Sequence, residues 1–227
     1  MRIAIFILLL AFLAFARPPR EHRGLYFNSS IGLTYMDFNT YQSDSWGTDK
    51  REEEKGNFEG WSIPSLEFKF GRSFGNLFAI YNVWDLAFFK GEGRYYDVDL
   101  EYAYGDWYLE QINEDIHDKD AWGLNISTGV GFTFYPFRNP NSIMNGSFIG
   151  VAVGPMASIA FVHENDDNND FDLIGVGTQF ELGKDWWISD TWSLGIGIGY
   201  TIVAPIEIDY DNSEGNIFRI MLRLTRG

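Results

Sequence analysis

With no cysteine in the chain, any chemistry has to come from histidine, carboxylate, amine, guanidinium or hydroxyl groups. Histidine is scarce: only His22, His117 and His163 occur. Nucleophilic or general-base catalysis needs such a group held beside a serine or a carboxylate. The best pairing on offer is Asp85 with His163, expected near one rim of the fold, and it lacks the rest of a catalytic set. No glycine-rich phosphate loop stands in a strand–turn–helix setting. Carboxylates are plentiful, and they cluster in Glu164, Asp166, Asp167 and Asp170 and again in Asp209 and Asp211. Hard divalent cations take such groups. The calcium-loop spacing begins well at Asp166, Asn168 and Asp170, but Phe171 replaces the turn glycine and Gly177 the final glutamate. Solvated loops that meet cations or a partner are therefore expected, not a dedicated metal site. Tyr95, Tyr96, Tyr102, Tyr104, Trp107 and Tyr108 form a second cluster suited to a hairpin or to stacking on a partner.

The rest of the composition narrows the class. The 227 residues carry 32 acidic against 17 basic side chains, a formal charge of −15, which argues against a nucleic-acid partner. Aromatics make up 18% of the chain, yet mean hydropathy is only −0.17. A helical membrane protein would be far more apolar. At the start, Met1-Arg2 precedes an apolar run to Phe15 and the small-residue exit Ala14-Phe15-Ala16. These features predict a cleaved secretory signal over 1–16 and a mature domain over 17–227.

Beyond the signal the dominant period is two, the period of a strand with unlike faces. Trp122, Leu124, Ile126, Thr128, Val130, Phe132 and Phe134 alternate with small or polar residues, and so do Trp192, Leu194, Ile196, Ile198, Tyr200 and Ile202. Ile149 to Phe161 repeats the pattern. Leu25–Tyr35, Leu66–Phe70, Ile174–Leu182 and Phe218–Leu224 are shorter examples. Leu77, Ala79, Tyr81 and Val83 are read as the oily face of the remaining strand, and Pro64 as a disturbance at the head of its neighbour. About eight strands result, long enough to cross a bilayer when tilted. Short connections (71–76, 184–190) alternate with longer or more acidic ones (39–60, 90–121, 163–170, 204–215). Aromatics near strand ends, among them Phe27, Trp186, Trp187, Tyr35 and Trp84, suit interfacial girdles. A soluble lipocalin-like barrel would also alternate, but would leave its glycine-rich face toward water. The expected fold is all-β, an eight-stranded antiparallel transmembrane up-and-down barrel whose interior has room only for side chains.

Two stretches carry a family resemblance. Gly183-Lys184-Asp185-Trp186-Trp187-Ile188-Ser189-Asp190-Thr191-Trp192 and Tyr135-Pro136-Phe137 leading to Gly146-Ser147-Phe148 resemble turns of small OmpA- and OmpW-like outer-membrane barrels. The last residues, Leu224-Thr225-Arg226-Gly227, lack the terminal aromatic of such barrels. The resemblance implies a bacterial outer-membrane location after export, with outer-membrane lipids and the outer-membrane assembly machinery as partners. It implies short periplasmic turns and acidic extracellular loops.

Inside such a barrel the charges Glu67, Lys69, Glu181, Arg219 and Arg223 share the polar face. Buried charges must be paired, so an internal salt-bridge network that plugs the lumen is expected, without cofactor or metal. The leading function is non-enzymatic, structural or surface-interacting. The alternatives are a narrow conduit for small or apolar molecules and, last, a lipid-modifying or proteolytic barrel.

Overall fold

The computed structural model describes residues 24–46, 50–103, 106–113, 119–137, 139, 142–163, 168–189, 191–206 and 214–227. The signal segment 1–16, with Tyr104, Glu164, Asp166, Asp167, Asp209 and Asp211, lies outside the described residues. Nine strands follow in order: β1 (Gly24–Trp46), β2 (Lys50–Phe74), β3 (Phe78–Ala103), β4 (Asp106–Asn113), β5 (Lys119–Phe134), β6 (Ser147–His163), β7 (Asn168–Trp187), β8 (Trp192–Pro205) and β9 (Glu214–Arg226). Eight of them form a closed antiparallel wall, running β1-β2-β3-β5-β6-β7-β8-β9 and back to β1. Closure leaves no unpaired edge in the wall, as a lipid environment requires.

The barrel has the expected eight strands, and the ninth strand, β4, lies outside it as the return arm of the tyrosine-bearing hairpin. It pairs with β3 over Asp97–Ala103, past the point where β5 begins with Lys119 opposite Gly93. Strands β1, β2 and β3 have 23, 25 and 26 residues, against the ~9–11 that a bilayer crossing needs. Segments 39–60 and 90–121, expected as connections, are therefore mostly continued hairpins, with Asn39 opposite Asn57 and Trp46 opposite Lys50. Segment 39–60 is polar and offers little hydrophobic period to read, whereas within 90–121 Tyr96, Val98, Leu100 and Tyr102 alternate with Asp97, Asp99 and Glu101, the pattern of a hairpin arm. Within the second hairpin, Tyr102 stands opposite Trp107 and Glu101 opposite Tyr108, while Tyr95 and Tyr96 oppose Gly56 and Lys55 of β2. Asp170 lies in β7 opposite Phe161.

At the other end the connections are short. The β2–β3 turn is Gly75–Leu77, shorter than the expected 71–76, with φ of 60° at Gly75 and 52° at Asn76. Glycine and asparagine are the residues that tolerate this left-handed backbone. Pro64 does not begin β2 but sits within it, where the register against β3 shifts between Trp61 and Ser65.

Alternation sends apolar residues outward and small or polar ones inward. Phe88 is 63% exposed and Leu222 58%, whereas Lys69 and Arg223 are fully buried. One strand reverses the expected facing. On β3 the inward residues are Ala79, Tyr81, Val83, Asp85, Ala87 and Phe89, while Ile80 and Trp84 face out. Both parities of this strand are apolar at its start, so the alternation is ambiguous there, and interior partners decide it. Tyr81 stacks on Tyr26 with ring centroids 5.5 Å apart, and Thr133 donates to its hydroxyl at 3.1 Å. Trp187, expected in the girdle beside Trp186, is likewise buried. Consecutive strand residues cannot both face lipid.

Candidate functional site

The interior has three tiers, which can be followed along β3. Phe89 and Ala87 belong to an apolar cluster at the long-hairpin end, with Met36, Phe38, Phe58, Met156, Leu173 and Ile217. Ala79, Tyr81 and Val83 belong to a second cluster near the short turns, with Tyr26 and Ala152. Asp85 lies between them along β3, in a tier of charge that runs on beside the second cluster, with Lys69 opposite Val83 and Arg223 donating to the Tyr26 hydroxyl at 3.4 Å.

Four strands supply that tier, and the two-residue period of each sets its contribution. On β2, Glu67 and Lys69 project inward together. On β7, Gln179, Glu181 and Asp185 do so, and on β9, Arg219 and Arg223. The Lys69 ammonium lies 2.9 Å from Glu67 Oε1 and also pairs with Glu181 Oε2. The other oxygen of Glu181 pairs with Arg223 Nη1. Arg219 Nη1 is 2.6 Å from Asp85 Oδ1 and 3.7 Å from Glu67 Oε2. The remaining lone pairs are mostly met by neutral donors: Gln179 Nε2 donates to Glu67 at 2.8 Å and Ser127 Oγ to Asp85 at 3.0 Å. The Arg223 guanidinium also lies 3.8 Å from the centroid of the Phe148 ring. Asp185 is the least bound member: its Oδ1 is 3.6 Å from Arg223 Nε and accepts no hydrogen bond, and Tyr135 donates to Oδ2 at 3.3 Å.

The glycines of β8 explain how such large side chains fit. Gly199 stands opposite Arg219 and Gly195 opposite Arg223. A Cβ at Gly199 would lie 2.7 Å from Arg219 Cγ, and one at Gly197 would lie 2.9 Å from Glu181 Oε1 and 3.1 Å from Arg223 Cδ. The glycine face of β8 is the berth of the β9 arginines. Below and above this tier, neutral pairs complete the polar lining, with Asn28 donating to Thr225 at 2.8 Å and Thr34 to Ser65 at 2.7 Å.

The structure thus brings together Glu67, Lys69, Glu181, Arg219 and Arg223, and adds Asp85, Asp185 and Gln179, which the sequence reading did not place there. Asp85 was legible in principle, since it falls between outward Trp84 and Leu86. Asp185 was hidden by assigning it to a turn, whereas β7 runs on to Trp187. The pairing of Asp85 with His163 is not formed. Asp85 is held in the lumen by Arg219 and Ser127, while His163 ends β6 opposite Asn168, seven residues beyond the Met156 rung that faces Ser127. Among the described residues no group of three or more His, Asp or Glu side chains is arranged to hold a metal ion.

A closed eight-stranded antiparallel wall, apolar outside and filled with paired charges inside, is the architecture of a small transmembrane β-barrel, and this chain folds as one. No protein-family profile matches the chain, and no curated protein matches it in sequence. Among solved structures it is similar to the outer membrane protein OprG from Pseudomonas aeruginosa, at 10% identity and a TM-score of 0.47, over 90% of this chain and 97% of that one. It is similar also to Ail, the attachment invasion locus protein of Yersinia pestis, at 10% identity and a TM-score of 0.45, over 89% and 99% of the two chains. The outer membrane protease OmpT from Escherichia coli matches at 6% identity and a TM-score of 0.38, over 89% and 96%.

Proposed function

We propose that this is a non-enzymatic, non-conducting outer-membrane barrel with a structural or surface-interaction role, its lumen closed by the charge tier and the apolar clusters packed against it. The supporting observation is that layering. An ion entering from the long-hairpin end meets buried hydrocarbon before it meets a charge, and one entering from the short-turn end meets the buried hydroxyls of Ser73, Ser193 and Thr225 and then charges that are already paired. Export by the N-terminal signal and insertion by the outer-membrane assembly machinery belong to the same reading, as do contacts with outer-membrane lipids. The surface role falls to the long hairpins. The β3–β4 hairpin, with its tyrosines and Trp107, and the acidic segments around Asp170 and Asp209 are the parts this reading assigns to a partner or to divalent cations. Planar-bilayer recording of the refolded protein tests the reading. No steady conductance is expected, either for the wild type or for Arg219→Ser, because the apolar tiers remain; steady single-channel current in the wild type would overturn it.

One observation favours the second reading, a conduit for small apolar molecules. The β5–β6 ladder runs to Ser127–Met156 and resumes only at Val130–Val153. In the interval stand Thr128, Gly129, Gly154 and Pro155, and proline has no N–H to give the ladder. Beside this interval lies a cavity of about 20 Å³ lined by Ser127, Gly154, Met156, Gln179 and Thr201, room for about one water. Uptake of an apolar solute into vesicles, lost in a variant with the interval sealed, would establish this reading over the first.

A further inference from the structure

The lipid-facing surface at the short-turn end carries an arrangement that the lumen does not explain. Aromatic rings run along it from strand to strand. Trp192 meets Phe27 edge-on with centroids 6.3 Å apart, and Phe27 lies 5.0 Å from Phe70. Further round, Phe74 stacks on Phe78 at 4.9 Å, and Phe78 lies 5.5 Å from Phe132. Two arginines are set into this ribbon, each with its guanidinium 6.0 Å from a ring centroid: Arg226 over Trp192 and Arg72 over Phe74.

Register places both arginines beside β1 on the outward face. Arg226 stands opposite Phe27 and Arg72 opposite Leu25, one on each side of that strand. Strand spacing of about 4.8 Å and a two-residue offset put their Cα atoms roughly 12 Å apart, so two long side chains can converge on one phosphate. Among the described residues neither guanidinium has an ion-pair or hydrogen-bond partner, whereas Lys184, also an outward cation at this end, is engaged by the carbonyl of Ile143. This end of the outer surface bears no side-chain carboxylate among the described residues; Asp185 is buried inside. The opposite rim is acidic outside, with Asp37, Glu59, Glu92, Asp120 and Glu214 against Lys90 and Arg94.

We propose that Arg72 and Arg226 form a binding site for the phosphate of an anionic glycerophospholipid in the leaflet that meets the short turns, with its acyl chains lying on the Trp192–Phe27–Phe70 ribbon. Charge complementarity selects this occupant. Two cations with no ion-pair partner and no side-chain carboxylate beside them among the described residues favour a phosphate-bearing headgroup of net negative charge over a zwitterionic one. Arginine is suited to the task, since its planar fork takes phosphate oxygens in pairs and its stem lies on apolar surface. The site rests on the membrane-barrel reading, and its periplasmic sidedness on the short turns.

Native mass spectrometry of the full mature chain, refolded in detergent and offered phosphatidylglycerol or phosphatidylcholine with identical acyl chains, tests it. At about a five-fold effect per basic residue near an anionic headgroup, preference for phosphatidylglycerol should be about 25-fold and lost in Arg72→Gln/Arg226→Gln. Lys184→Gln should keep it. Free glycerol phosphate at the same concentration should not displace the lipid; displacement would mean that the site takes phosphate alone and overturns the lipid assignment. Equal retention of the two lipids by the wild type, or unchanged preference in the double variant, also overturns the proposal. Heat-modifiable gel migration, run on each sample, separates this failure from that of the barrel reading, since a barrel that binds both lipids equally still migrates as a folded barrel.

Discussion

Glu181 and Asp185 lie four residues apart on the same inward face of β7, yet the structure assigns them very different worth. Glu181 pairs with Lys69 through one oxygen and with Arg223 through the other, and all three side chains are buried. Glu181→Gln keeps the shape and removes the charge. Lys69 then retains Glu67 at 2.9 Å, but the one carboxylate left to Arg223 is Asp185 at 3.6 Å. Breaking a buried ion pair by removing one partner costs about 3–5 kcal/mol, and the surviving Lys69–Glu67 contact argues for the lower end, about 3 kcal/mol. Asp185→Asn removes a carboxylate whose one oxygen accepts no hydrogen bond and whose other accepts a long one. The tier also holds four carboxyl groups, Glu67, Asp85, Glu181 and Asp185, against three cations, Lys69, Arg219 and Arg223. Losing Asp185 leaves equal numbers, so its cost should not exceed that of one ordinary hydrogen bond, about 1 kcal/mol. Urea unfolding of the protein from vesicles, followed by tryptophan fluorescence, reads the difference. With a slope of about 2 kcal/mol/M, the midpoint should fall by about 1.5 M for Glu181→Gln and by no more than about 0.5 M for Asp185→Asn, at unchanged slope. Equal shifts, or a larger one for Asp185→Asn, would refute the assignment of the tier's stability to the Lys69–Glu181–Arg223 bridge.

Two further outcomes follow from the facing of side chains. Leu222 is 58% exposed on β9, so Leu222→Arg should cost about 2–4 kcal/mol in a bilayer; in the same unfolding assay, a change within about 0.5 kcal/mol, as for a water-facing site, would contradict the lipid-facing assignment. Gly131 faces the lumen under Tyr81, where a Cβ would lie 2.8 Å from the ring's Cζ and 3.0 Å from Ala152 Cβ. Gly131→Val should therefore cost at least about 1–3 kcal/mol of overpacking, and Tyr81→Ala in the same chain should recover part of it; no recovery would mean that the strain lies elsewhere.

The sequence by itself determined the wall. Alternation at Trp122–Phe134, Ile149–Phe161, Trp192–Ile202 and Phe218–Leu224 fixes which side of each strand meets lipid, because a two-residue period leaves no third choice. It also determined that Glu67, Lys69, Glu181, Arg219 and Arg223 face inward, since they share the parity opposite to the apolar residues on their strands. Where both parities are alike, that logic has nothing to act on. At the apolar start of β3 the face expected outward is the one that turns in, and over the polar stretch 39–60 a connection is expected where the ladder continues. Tertiary structure alone decided those cases, and it alone decided who pairs with whom in the lumen. Arg219 meets Asp85 across the barrel and Arg223 meets Glu181, separated by 134 and 42 residues. Closure and inter-strand register set those meetings, and neither is a local property of any one strand.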